Sequence, residues 1–217
     1  MALKDVLIDE LRDMYSAENQ QVKALPKLVK GAKSPELKQM LKEHLEQTKG
    51  QILRLREAFE HIGKKPTGKH CEGMEGVLKE SYEALEEEAE GASFDAGLIG
   101  AALRTEHYEV AGYHAAIAMA KAQGMGEVAA LLKESLQEEV EAAKKIQAAA
   151  KGIFKQATQE EEDDEDAKPA AKKSAKDKES EKKSKEDEKQ AEPEVKKKGK
   201  PGPKAAVKPE SLEPEEE

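Results

Sequence analysis

The segment Leu98–Ile117, LIGAALRTEHYEVAGYHAAI, places an acid on the apolar face of a helix. Ile99, Leu103, Val110, Tyr113 and Ile117 recur three, four and seven residues apart, the spacing of one buried stripe. Glu106 falls on that stripe, and Glu109 lies one turn on, near its edge, with His107 and His114 flanking. A carboxylate aimed at a core is costly unless a cation or a hydrogen-bond partner meets it. On a wheel of about 100° per residue, other segments offer company. Glu18 lies between Leu11 and Val22, and Glu139 shares a line with Leu132 and Ala143. His44 and Thr48 fall on one face, with Gln51 at its edge and Gln47 further round. Carboxylates and an imidazole at one depth repel and desolvate one another, whereas one or two divalent ions turn them into ligands. This oxygen-rich set suits iron or manganese. Taken singly, each Glu reads better as a helix-edge residue that reaches solvent and His44 as a satisfied core histidine; the joint arrangement at one height is what favours a metal.

Four long helices must position these groups. The first spans residues 2–31, with Leu3, Leu7, Leu11, Met14, Val22, Leu25 and Val29 on its stripe; Pro26 predicts a bend. Ser34-Pro35 starts the second, which runs to Ile62 and stops at Gly63. Residues 69–92 predict a short crossover helix. Ser93 is the expected N-cap of the third long helix, Phe94–Gln123. Gly124-Met125-Gly126 turns the chain into the fourth, which runs to Gly152. Two helical hairpins joined by one long crossover make an all-α, ferritin-like four-helix bundle. Glu18 lies about 15 residues before the first turn and His44 about 11 after it; Glu106 and Glu109 lie about 15 to 18 before the second turn and Glu139 about 14 after it. Antiparallel packing therefore brings all five to one level. Tyr15, Tyr108 and Tyr113 fall near that level too, as core residues or as donors to a ligand.

Composition separates this bundle from the C-terminal segment. Charged residues make up 38% and aromatics 3% of 217 residues, too polar for one globule of that length. The expected domains are 1–154, folded, and 155–217, a disordered low-complexity tail. In the tail, Lys196, Lys197, Lys198, Lys200 and Lys204 of KKKGKPGPK offer non-specific, salt-dependent contact with DNA phosphates. A solvated polyampholyte is the alternative. The net charge of −9 argues against generic nucleic-acid binding by the whole chain. No apolar run approaches the roughly 20 residues of a membrane span, so a cytoplasmic location is expected. Cys71, the single cysteine, excludes an intramolecular disulfide and reads as a spare surface thiol.

Three strings carry a family resemblance: DELRDMYSAENQ (9–20), EHLEQTKGQILRLREAF (43–59) and LIGAALRTEHYEVAGY (98–113). They resemble the YciE/YciF branch of the ferritin-like superfamily over residues 1 to about 154. The resemblance implies a small bundle that pairs into homodimers, associated with stress and with ferroxidase chemistry. It implies that Glu18, His44, Glu106, Glu109 and Glu139 are metal ligands or their neighbours, holding two iron ions that react with dioxygen or peroxide. Two departures stand out against the Glu-x-x-His pattern of di-iron bundles. Gln47 stands where an acid is expected, and Ala142 follows Glu139 where a histidine would be. Beside the ferroxidase reading stand a manganese-dependent peroxide dismutation centre and a non-catalytic scaffold whose Lys-rich tail contacts DNA or a partner protein.

Overall fold

The computed structural model describes residues 1–86 and 90–167. The described residues form five α-helices: α1 (Leu3–Gly31), α2 (Pro35–Ile62), α3 (Glu72–Glu86), α4 (Gly91–Ala122) and α5 (Gly126–Ala167). The four long helices pack in the cyclic order α1, α2, α5, α4, and α3 lies across α1 and α4. This is the all-α, ferritin-like bundle with a short helix in its crossover. Local chemistry sets most boundaries. Ser34 caps α2 by accepting from the Leu37 N–H, Pro35 takes the first helical position, and Gly63 ends the helix at φ +74°. Gly124, at φ +69°, makes the α4–α5 turn. α1 continues past Pro26 to Gly31, so the proline does not end it.

Two apolar cores fill the bundle, one at each end. At the end with the α4–α5 turn, Leu7, Leu11, Met14, Leu55, Phe59, Tyr113, Ile117 and Leu132 pack together. At the other end the core is built from Leu25, Leu28, Leu37, Leu41, Phe94, Leu98, Ile99, Ile146 and Ile153. A layer of buried polar side chains lies between them: Glu18, Gln21, His44, Thr48, Gln51, Thr105, Glu106, Glu109, Ser135 and Glu139. Every long helix changes from apolar to polar and back at the same height. Near this layer α4 approaches α1 so closely that a Cβ on Gly112 would run into the Met14 sulfur.

Three expectations require correction. α4 starts at Gly91, before Ser93, and Ser93 does not cap it. The Glu160 carboxylate of the neighbouring α5 caps it, accepting from the Ala92 N–H at 2.8 Å. Gly91 holds φ +59°, and a Cβ there would strike that carboxylate. The fourth long helix does not stop at Gly152 as expected. α5 continues to Ala167, because Ile153 and Ala157 are buried in the second core and Glu160 holds the end of α4. Cys71 is not a surface thiol. It is fully buried, its Sγ 3.1 Å from Asp13 Oδ2 and 3.0 Å from the Tyr108 hydroxyl. Lys196, Lys197, Lys198, Lys200 and Lys204 lie outside the described residues.

Asp95 of α4 pins the first hairpin. It is 1% exposed, and its carboxylate accepts the backbone N–H groups of Lys33, at 2.7 Å, and Ser34. Replacing it leaves two donors at the α2 N-terminus without an acceptor. Asp95→Ala is expected to lower unfolding stability by about 2–4 kcal/mol, with Asp95→Asn losing less. Urea unfolding checks this, read from a lower midpoint at an unchanged slope.

Candidate metal centre

The polar layer draws one or two acids or an imidazole from each long helix. Glu106 and Glu109 lie one turn apart on α4, Glu139 projects from α5, Glu18 from α1 and His44 from α2. One ligand atom each from His44, Glu106, Glu109 and Glu139 lies within 4.8 Å of the others. His44 Nε2 stands 3.4 Å from Glu106 Oε1 and 4.0 Å from Glu139 Oε2. Glu18 adjoins this group, its Oε1 accepting from the Tyr113 hydroxyl. Glu109, expected near the edge of its stripe, is fully buried. Gln47 is half-buried at the rim, next to His44. Ala142 is buried beside Glu106 and leaves space where a histidine would reach inward. His107 and His114 are exposed and do not enter.

Burial governs the protons. Removal from water pushes the carboxyls of Glu18, Glu106 and Glu109 well above their ordinary value of 4.5. Neighbouring carboxylates push the same way: Glu139 against Glu18 and Glu106, and Glu18 against Glu109. The Tyr113 hydrogen bond opposes this at Glu18. Burial lowers His44 from 6.5, opposed by the charge of Glu139. Without a cation, burial favours the protonated forms of Glu18, Glu106 and Glu109 and the neutral imidazole of His44.

Other residues orient the acids. The Gln51 amide donates to Glu139 Oε1 and, at 3.1 Å, to Glu138 Oε2, which leaves Glu139 Oε2 facing His44. Arg54 pairs with Glu138 and donates to Ser135 Oγ at 3.0 Å. Thr48 spends its hydroxyl on the His44 carbonyl, at 2.9 Å. Gln21, Arg54, Ser135 and Glu138 are absent from the set read in the sequence. Gln21 was legible, since it lies three residues after Glu18 and so on the same face. Tyr15 packs edge-on to Phe59, and Tyr108 joins Cys71 and Asp13.

The donor set fits a cation. Glu18 Oε2, both His44 ring nitrogens, Glu106 Oε2, both Glu109 oxygens and Glu139 Oε2 are buried with no hydrogen-bond partner. A buried polar atom left unpaired costs about 1–3 kcal/mol, and seven converge in one layer. Carboxylate oxygen and imidazole nitrogen are donors for divalent transition metals. The cluster can hold a metal ion.

The proton inventory fixes a pH dependence. A carboxyl whose pKa is raised by folding binds its proton more tightly in the folded state. Its contribution to stability is present at low pH and is lost as pH rises from 4.5 through the folded value. His44 acts oppositely, its contribution being lost as pH falls below 6.5. Above that value the exposed His70 and the buried Cys71 thiol, both also raised, act in the same sense as the carboxyls. Chelator-treated protein is therefore expected to melt at a lower temperature at about pH 8 than at about pH 6.5, its unfolding free energy falling by up to ~1.4 kcal/mol per pH unit for each carboxyl still protonated in the folded state. Calorimetry across that range checks the sign, and a rising melting temperature contradicts it.

Comparison with known proteins agrees with this architecture. The family model of DUF892, a domain of unknown function, matches residues 2–159. Protein YciF of Escherichia coli (strain K12) is 40% identical over 138 residues, which cover 63% of this chain and 83% of that protein. The crystal structure of the E. coli stress protein YciF aligns with a TM-score of 0.69 at 37% identity, over 71% of this chain and 98% of that one. YcfI from Rhodopseudomonas palustris aligns with a TM-score of 0.67 at 39% identity, over 68% and 94%. A Xanthomonas campestris protein, 20% identical with a TM-score of 0.60 over 74% and 99%, shares the fold. By the family match and the identity to YciF, the chain belongs to the DUF892 family, the ferritin-like YciE/YciF proteins that its sequence resembles.

Proposed function

We propose that this protein binds two divalent ions, iron before manganese, and oxidises ferrous iron with dioxygen or peroxide. The observation that carries the reading is the buried cluster with its seven unpartnered donor atoms. Charge supports two ions over one. Ionised, Glu18, Glu106, Glu109 and Glu139 carry four negative charges, which two divalent cations neutralise. Gln47 and Ala142 add none. Iron would supply the electrons, one from each ferrous ion, and an oxidant taking up two electrons and two protons would leave as peroxide from dioxygen or as water from peroxide. The chain's part is to release protons from Glu18, Glu106 and Glu109 as cations enter, to hold His44 neutral, and to keep the layer dry between two apolar cores. A stress role, as described for the E. coli relative, fits a site that consumes oxidants. Pairing into homodimers belongs to the same reading, and sedimentation equilibrium checks it.

Metal analysis of protein purified without added metal, followed by anaerobic ferrous titration, tests the proposal. About two ions per chain are expected, with iron oxidised faster than in buffer on adding dioxygen or peroxide. Manganese in place of iron, with peroxide dismuted, would select the manganese centre. Neither metal bound, and no oxidation above buffer, ends the metal reading and leaves the scaffold. Gln51→Ala releases Glu139 from its orienting amide and is expected to weaken metal binding about 10- to 100-fold. Isothermal titration measures it, and an unchanged affinity rejects the orienting role.

A further inference from the structure

Two adjacent acids of α5, Glu138 and Glu139, share one amide of α2. Gln51 is fully buried, and its Nε2 donates to Glu139 Oε1 and, at 3.1 Å, to Glu138 Oε2. A flipped amide would set its oxygen against both carboxylates, so only one orientation satisfies the three groups. The same Glu138 oxygen also accepts from Arg54 Nη2. Arg54 Nε in turn donates to Oγ of the fully buried Ser135, at 3.0 Å. Ser135, Arg54, Glu138, Gln51 and Glu139 thus form one unbroken row of hydrogen bonds across the α2–α5 seam. The Arg54 and Glu138 side chains are 18% and 29% exposed, so the row starts near solvent and ends inside the polar layer. A partly exposed ion pair is worth little stability by itself. This one shares its acceptor oxygen with the amide that orients Glu139.

We infer that Arg54 is a positioning residue for the metal centre, fixing through Glu138 and Gln51 which oxygen of Glu139 faces the cluster. The inference rests on the proposed metal binding and names a residue that acts on it from outside the layer. By itself Glu138 is a partly exposed carboxylate, free to sample several rotamers in water. Arg54 holds it against the seam, and Ser135 holds Arg54, because the guanidinium reaches two partners from two nitrogens in a rigid plane. Glu138 so held gives Gln51 its second acceptor, and the amide stops turning about its last bond. Glu139 Oε1 then stays with Gln51, and Oε2, which has no partner, stays toward His44. The charge of Arg54 also favours the ionised form of Glu18. A lysine keeps that charge, but its single nitrogen does not reproduce the fork. Arg54→Lys therefore separates position from charge.

The test uses full-length protein and cobalt(II), whose visible absorption reports its ligand geometry. Arg54→Lys is expected to weaken cobalt binding about tenfold, the low end for loss of an orienting partner, and to change the shape of the visible band. In a Gln51→Ala background the same substitution is expected to cost less than about twofold, because the link through which it acts is gone. Glu138→Ala breaks the row at its middle and is expected to match Arg54→Lys, which keeps the test decisive if one variant folds poorly. In metal-free protein the Gln51 side-chain amide protons are expected to exchange with solvent faster in Arg54→Lys, while those of Gln21, buried in the same layer, keep their rate. Unchanged exchange at Gln51 overturns the inference. So does an equal loss of cobalt affinity with and without Gln51, since the arginine would then act without the amide. If the unmodified protein binds neither cobalt nor iron, the proposed function fails by itself, and the Gln51 exchange still decides whether Arg54 fixes the amide.

Discussion

Burying four carboxyls and an imidazole in one layer is the constraint on which the rest of this bundle depends. Such groups are costly to desolvate, and apolar packing elsewhere must offset them. The offset is visible in the two cores on either side, one closed by Phe59, Tyr113 and Leu132, the other by Phe94, Leu98 and Ile146. Long helices are needed because each must cross both cores and the layer between. The cost is also limited chemically, since burial raises Glu18, Glu106 and Glu109 and so favours their uncharged forms.

The layer is not symmetric. Glu139 is tethered by Gln51, and Glu18 by Tyr113. His44 and Glu106 have no such tether on their outer side, and there Ala142 leaves a cavity. Ligands held rigidly on one side and open on the other are the arrangement that lets a site bind a metal and still receive a reactant.

Most of the fold was legible because its signals are local. The stripes and end residues Ser34-Pro35, Gly63 and Gly124 mark the helices within a residue or two. The common height of Glu18, His44, Glu106, Glu109 and Glu139 came from counting back from two short turns, since antiparallel helices must match lengths there. What was missed depends on partners distant in sequence. Ser93 had the right type for a cap, but Glu160 reaches the end of α4 from another helix. The acidic composition after residue 154 read as tail, yet Ile153, Ala157 and Glu160 pack back on α4 and keep α5 helical. Cys71 sits in a polar string, KHCEG, and is nevertheless buried by Asp13 and Tyr108.

The sequence by itself determined the helices, their connectivity and which acids face inward, because periodicity and short turns are properties of neighbouring residues. Only the tertiary structure decided which oxygen of each acid is tethered and which is left without a partner. It alone set how far Glu109 is buried, and where the cluster is open. Those depend on side chains of four helices meeting at distances that no spacing along the chain encodes. Glu106 shows the division: its place on an apolar face is written in LIGAALRTEHYEV, but its approach to 3.4 Å from His44 is a product of packing.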